Sequence, residues 1–277
     1  MPDAIIRISS NKIAKYIKSN NIGNYNKEYH ARKYKLVDII EHIFHYIKYA
    51  IPWNKTIFEE SGSTLYYHFK IFRDNNVLLG FYRSILAKYL TKKKKKKLRF
   101  ISTDTSFSNN QQGIERIGRN KFNKNKNCNK ISFLSDSNGV PLSIIIKEGN
   151  VHDCKFLIEH FDNLLCPERC FENMDITLLA DSAYDSNENR EFLKNKGINA
   201  IIDYNKRGTK NIQRIKRMSK KEKGIYKKRM IIGNSFSWIK KCRRCLNRYD
   251  KLFSSYFNSA IISMIILLMN KIPKYLI

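Results

Sequence analysis

Acidic residues are scarce in this chain. Asp and Glu number 24 against 53 Lys and Arg, which leaves a formal net charge of +29. So large a deficit excludes a polycation as partner and favours a polyanion, nucleic acid ahead of an acidic membrane surface. Lys, Asn and Ile are abundant together, as AT-rich coding favours, so the charge supports that reading without establishing it. No apolar leader opens the chain, because Pro2, Asp3 and scattered charges come first. That predicts an intracellular protein, in cytoplasm or nucleus according to host, and not a secreted one. Runs of the roughly 20 apolar residues that a membrane span needs are missing too. Ala260–Met269, the one long stretch, is interrupted by Ser263, and predicts a packed C-terminal helix and no membrane partner. There is no Gly-rich phosphate loop and no Ser-His-Asp set with supporting context, which removes the P-loop and serine-hydrolase readings. The six cysteines, at 128, 154, 166, 170, 242 and 245, read as free thiols in a reducing compartment. A four-thiolate zinc site from 166/170 and 242/245 is the alternative, disfavoured by the basic helical setting of the second pair.

What is present is periodic. Around Ile13–Ile17 there is a short helical pattern, and Leu36, Ile39, Ile40, Ile43, Phe44 and Ile47 recur at three and four to make an amphipathic helix before Pro52. Segments Thr64–Phe72 and Val77–Tyr89 read as two more helices, separated by Arg73–Asn76. Three short basic helices fit either a helix-turn-helix DNA reader or a plain helical cap. Lys92–Lys97, a run of like charge, reads as a linker. It divides the chain into an N-terminal helical, DNA-binding domain (1–91) and a main domain with its C-terminal helix (92–277).

The main domain opens with Leu98–Asp104, read as a strand ending in an acid. An Asn- and Lys-rich loop, Asn109–Asn129, precedes the strands Lys130–Ser135 and Pro141–Lys147, whose turn Asp136–Gly139 carries an Asn-Gly pair suited to a hairpin. Asp153 is placed to cap a helix, Cys154–Leu165. A buried strand, Ile176–Ala180, then ends at Asp181; helix Glu188–Lys196, capped by Asp185 and Ser186, and a fifth strand, Asn199–Tyr204, complete the order. Three consecutive strands followed by alternating helix and strand predict an α/β, RNase H-like mixed five-stranded sheet flanked by helices, with the N-terminal helical domain appended.

With Asp185 and Ser186 assigned to the cap, Asp181 is left over, and Asp104 is the acid expected to face it. Two carboxylates at neighbouring strand ends repel unless a divalent cation neutralises them, and magnesium is the hard, oxygen-preferring choice. Such a site can activate a water or a 3′-hydroxyl for attack on a phosphodiester. Each Asp taken alone reads equally well as a turn residue.

Several ordered blocks resemble the DDE transposases of bacterial insertion-sequence type. Thr103–Asp104–Thr105–Ser106 is similar to the block of the first catalytic acid. Gly118–Arg119–Asn120, Lys130–Ile131 and Asp136–Leu142 resemble the stretch after it. Gly149–Asn150–Val151–His152–Asp153 and Ala180–Asp185 follow in family order, the latter holding the second acid. The family's last block reads Tyr, two residues, Arg, three residues, Glu, six residues, Lys; here Tyr226, Arg229 and Lys240 stand in place, with Gly233 where the Glu belongs. On a helix that spacing falls on one face, and Gly233 can ligate nothing. The resemblance implies two Mg2+ held by Asp104 and Asp181, cleavage and strand transfer at transposon ends, and a homodimer on double-stranded DNA. Phosphate contacts are expected from Arg119, Arg229, Lys240, Arg243 and Arg244. Catalytic loss through Gly233, leaving a DNA-binding relic, is the alternative outcome.

Overall fold

The computed structural model describes residues 3–22, 25, 33–93, 100–121, 123–167, 175–205 and 218–272. Lys94–Lys97 of the lysine run, Leu98 and Arg99 of the first expected strand, and Cys170 lie outside the described residues.

Ten α-helices and seven strands are described. In chain order they are α1 (Asp3–Ser19), α2 (Leu36–Tyr49), α3 (Gly62–Asp74), α4 (Val77–Lys93), β1 (Phe100–Asn110), β2 (Gly118–Asn120), β3 (Lys126–Asp136) and β4 (Pro141–Glu148). There follow α5 (Leu157–Asp162), β5 (Thr177–Ala180), α6 (Asn187–Asn195), β6 (Asn199–Ile202), α7 (Lys220–Tyr226), α8 (Met230–Ile239), α9 (Arg243–Leu246), β7 (Asn247–Arg248) and α10 (Phe253–Lys271).

The sheet is mixed. Its path runs β2-β3-β1-β5-β6, with β4 also on β3 and β7 on β1. Strands β3 and β4 are antiparallel, while β1, β5 and β6 are parallel. Strands β4, β3, β1, β5 and β6 make the expected mixed five-stranded sheet; two short strands, β2 and β7, were not foreseen. The β3–β4 hairpin turns where expected. Gly139 takes φ +76 there, a conformation that only glycine adopts at no cost. The Asp136 carboxylate ties the turn by accepting from the backbone N–H of Asn138 (2.8 Å) and Val140 (2.9 Å), and Tyr89 donates its hydroxyl to the same side chain at 2.7 Å.

The chain forms two compact units. One gathers 1–85, 109–116 and 238–277; the other holds 86–108 and 117–237. In the first, α10 packs against α1, α2, α3 and α9. It is a 19-residue helix, long and apolar enough by length and composition to cross a membrane, yet 78% of its apolar window is buried within the protein. A helix apolar on every side needs cover on every side, and the apolar faces of α1–α3 provide it. That is why the C-terminal helix, read from the sequence as part of the 92–277 domain, groups with the N-terminal helices. Helix α1 is also longer than its Ile13–Ile17 pattern suggests, because Ser9 and Ser10 are buried by bonding back to the carbonyls of Ile5 (2.7 Å) and Ile6 (2.9 Å).

The second unit is built around the sheet. Two of the sequence blocks meet in it: Asn120 of β2 donates its side-chain amide to the Gly149 carbonyl. A Cβ on Gly118 would meet Asn150 Oδ1 and, at 2.9 Å, the Gly149 nitrogen. Gly118 thus holds β2 close to the turn after β4.

Candidate active site: two aspartates and a guanidinium

Phe100, Ile101 and Ser102 of β1 lie beside Thr177, Leu178 and Leu179 of the parallel strand β5. Carried on by two residues, that register sets Asp104 beside Asp181. Partners across a parallel pair face the same side of the sheet, so the two carboxylates share one edge. Asp104 does not end its strand, as the sequence suggested; β1 runs on to Asn110. The neighbour ends instead: β5 stops at Ala180, and the far end of β1 pairs with β7 at Asn109 and Asn110. Asp104 therefore sits where the sheet opens beside a strand end, where α/β sheets place their sites.

Asp181 does have a structural task. Its Oδ1 accepts from the Ala183 N–H at 2.8 Å and caps the short 3-10 turn Ser182–Tyr184. Asp104 is held alike, Oδ1 accepting from Thr105 N–H at 2.8 Å. Each carboxylate spends one oxygen on a neighbouring backbone donor, which fixes its orientation. Oδ2 of Asp104 takes the Arg229 guanidinium, Nη1 at 3.1 Å, and both side chains of this pair are 26% exposed. Burial holds the Asp104 carboxyl above its usual range; the Thr105 N–H and the Arg229 charge pull against it, and the charges of Asp181 and Asp153 add to the rise. The net effect at Asp104 is to disfavour its charged form, chiefly through burial and secondarily through the neighbouring acids.

Arg229 rests 5.5 Å from the Tyr226 ring centre. Burial raises the Tyr226 hydroxyl, Arg229 opposes that, and Asp181, Asp203 and Asp104 reinforce it. Tyr226 thus joins the site through Arg229 and feels the charge of both acids; sequence reasoning used it only to align the last block. Next to it Lys228 lies over Phe100, 4.3 Å from the ring centre; the run Lys227–Lys228–Arg229 was the available signal.

The single helical face expected for 226, 229, 233 and 240 is interrupted: Tyr226 ends α7, Arg229 closes a 3-10 turn (Lys227–Arg229), and Lys240 follows the end of α8. Gly233, in α8, is exposed, and a Cβ there meets nothing within 4 Å. The position is open, so a longer side chain fits. Among the described residues no three His, Cys, Asp or Glu side chains converge to hold a metal. One side of α8, Ile232, Ser235, Phe236 and Ile239, is core: Ser235 donates to the Gly139 carbonyl at 2.8 Å, and Phe236 packs on Phe133 at 4.9 Å between centres.

Of the expected phosphate-binding cations, Arg119 and Arg243 are exposed. Arg119 leans on its own hairpin, donating Nε to the Asn125 carbonyl at 3.0 Å. Lys240 is partly buried, and burial lowers its pKa. Arg244 is a correction. Only 3% of its side chain is exposed; it pairs with Asp250 at 3.0 Å and donates to the Ile51 carbonyl at 2.7 Å, so it cannot meet a phosphate. The local sequence shows two adjacent arginines, but only one direction along that short helix faces water. Asp153 is another correction. It caps no helix, and pairs instead with Lys130 Nζ at 2.6 Å, leaving His152 at the helix start. Asp185 likewise leaves the capping of α6 to Ser186 and pairs with Arg190 at 2.7 Å. Cys128, Cys154, Cys166, Cys242 and Cys245 are free thiols. Burial pushes Cys242 up to about 11, which suits a core thiol and not a thiolate ligand.

The fold and this edge define a class: an RNase H-like sheet with paired carboxylates on neighbouring parallel strands. Residues 88–268 match the family described as Transposase DDE domain, and the chain belongs to that family. Over 143 residues it is 25% identical to a protein of Burkholderia cepacia assigned as the transposase for insertion sequence element IS402. That match covers 50% of this chain and 62% of the relative, so the chain spans less than two thirds of the relative's length. Among solved structures, the catalytic domain of Mos1 mariner transposase is similar at 9% identity and a TM-score of 0.28, over 61% of this chain and 91% of that one. The Mos1 transposase paired-end complex with left transposon end gives 9% and 0.28, over 89% and 78%.

Proposed function

We propose that the chain is a DDE transposase that binds the ends of its element and cuts and joins DNA at the Asp104–Asp181 edge, in a copy impaired by Gly233. The observation that carries this reading is that Asp104 and Asp181 each lie two positions past the last paired residues of the parallel strands β1 and β5, inside the segment that matches the family. Two hard oxygen donors, each oriented by a backbone N–H, fit a divalent ion such as Mg2+, with Asp104 and Asp181 as the residues that would hold it. When bound, such ions supply Lewis-acid stabilisation and an activated oxygen nucleophile. The chain's own residues supply the rest. Arg229, resting against the Tyr226 ring, offers a guanidinium to the phosphate, and the exposed Arg119 contacts the duplex backbone; Arg243 and Lys240, in the other unit, each offer a phosphate contact of their own. The N-terminal helices (1–91) read the element's ends, the partner is double-stranded DNA held by a homodimer, and the protein works inside the cell.

Position 233 decides between an active enzyme and a DNA-binding relic. Misplaced metal ions cost orders of magnitude in rate, because ion position sets the geometry of attack. Gly233 also weakens the helix by about 1 kcal/mol against Ala. Gly233→Glu restores an acid at an open position and removes that penalty. The test is magnesium-dependent nicking of DNA carrying the element's own ends, with Asp181→Asn as the dead control. The variant is expected to nick at least a hundredfold faster than the natural chain, in line with what one ligand or oxyanion donor is worth. Equal rates in the two proteins would place the third ligand elsewhere and refute the role of 233.

A further inference from the structure

We infer that Arg229 is a resident counter-cation of the acid pair, which competes with a divalent ion for Asp104 Oδ2 and must leave that oxygen before the pair can be filled. The inference rests on the reading of Asp104 and Asp181 as metal ligands. Its own ground is the way the oxygens are shared out. Asp104 Oδ1 is engaged by Thr105 N–H, and Asp181 Oδ1 by Ala183 N–H. Oδ2 of Asp104 is where a cation can enter from the open edge, and the Arg229 guanidinium is already on it at 3.1 Å.

Gly233 strengthens that hold. Position 233 lies four residues beyond Arg229, across the junction of the 3-10 turn Lys227–Arg229 with α8, close to the spacing at which an acid pairs with an arginine on a helix. With glycine there and open space around it, α8 offers the guanidinium no carboxylate of its own, and Asp104 takes it. The missing acid therefore acts twice: it removes a ligand, and it leaves Arg229 leaning on one of the two that remain. Because both partners are partly exposed, the ion pair is exchangeable with solvent and of modest strength, which makes it a competitor and not a permanent plug.

The test is Mn2+ binding to the full chain, read as free-ion signal by electron paramagnetic resonance at fixed ionic strength. Arg229→Gln is expected to tighten binding roughly two- to fivefold, the upper range of a partly exposed ion pair. Lys228→Gln removes the same charge one residue away and is expected to change little; Arg229→Lys is expected to stay near the natural chain. If Arg229→Gln binds no tighter, or Lys228→Gln tightens as much, general charge and not competition sets the affinity and the inference is overturned. Asp104→Asn and Asp181→Asn should each weaken Mn2+ binding. If neither does, the acid pair is no metal site, and both the reading and the inference built on it fail.

Discussion

Arg243 and Arg244 are neighbours with opposite lives. Arg244 is sunk beside Asp250, stacked 5.0 Å from the Trp53 ring centre, and Asp250 in turn accepts from Ser259 at 3.1 Å. Removing one partner strands a buried charge, so Arg244→Ala is expected to cost about 3–5 kcal/mol in a urea melt. Arg243→Ala should leave the melt unchanged and lower the slope of log K against log salt for DNA binding by roughly 1. Reversal of the two outcomes would mean that the burial is misassigned. His160 makes a second prediction at this scale. It is enclosed, Nε2 to Ser132 Oγ at 2.7 Å and Nδ1 to Ser143 Oγ at 3.0 Å, and burial, helped by the Lys147 charge, pushes it down to about 3. An imidazole that stays neutral when folded but protonates when unfolded stabilises the fold above about pH 6.5. That contribution is lost as pH falls towards 3, by up to about 1.4 kcal/mol per pH unit. His160→Gln should flatten this limb of the stability profile relative to the natural chain; parallel profiles would show that His160 protonates in place.

At the scale of elements, the helices and strands whose partners are adjacent in sequence were legible, and those held by distant partners were not. The Asp-Ser-Asn-Gly turn announced the β3–β4 hairpin because glycine at positive φ and an Asp accepting from the turn are local chemistry. Thr105–Asn110 looks like a loop, being rich in Ser, Thr and Asn. It is strand because Asn109 and Asn110 pair with Asn247 and Arg248, nearly 140 residues away. The apolar run that ends in Asp181 marks that acid in the sequence, but its capping task is not legible there, since a 3-10 turn needs a cap as a helix does. Arg229 and Tyr226 came only through their spacing in the family block. Nothing local distinguishes a guanidinium that meets a carboxylate from one in water, and the burial of Arg244 was invisible for the same reason.

For the whole molecule, the unit built around α10 is assembled from three separate stretches of chain. Deleting 253–277 should uncover the apolar faces of α1–α3 and render 1–85 sensitive to limited proteolysis; resistance as in the full chain would show that those helices close on themselves. The same discontinuity sets a schedule for synthesis. At about 5–20 residues per second, α1–α3 leave the ribosome roughly 10–40 s before α10 is made. Through that interval the helices carry exposed apolar surface with nothing to close on, and must be shielded by chaperones or stay loosely folded. Every prematurely terminated copy remains in that condition permanently, so translation that stops short yields a substrate for degradation and not a smaller folded protein.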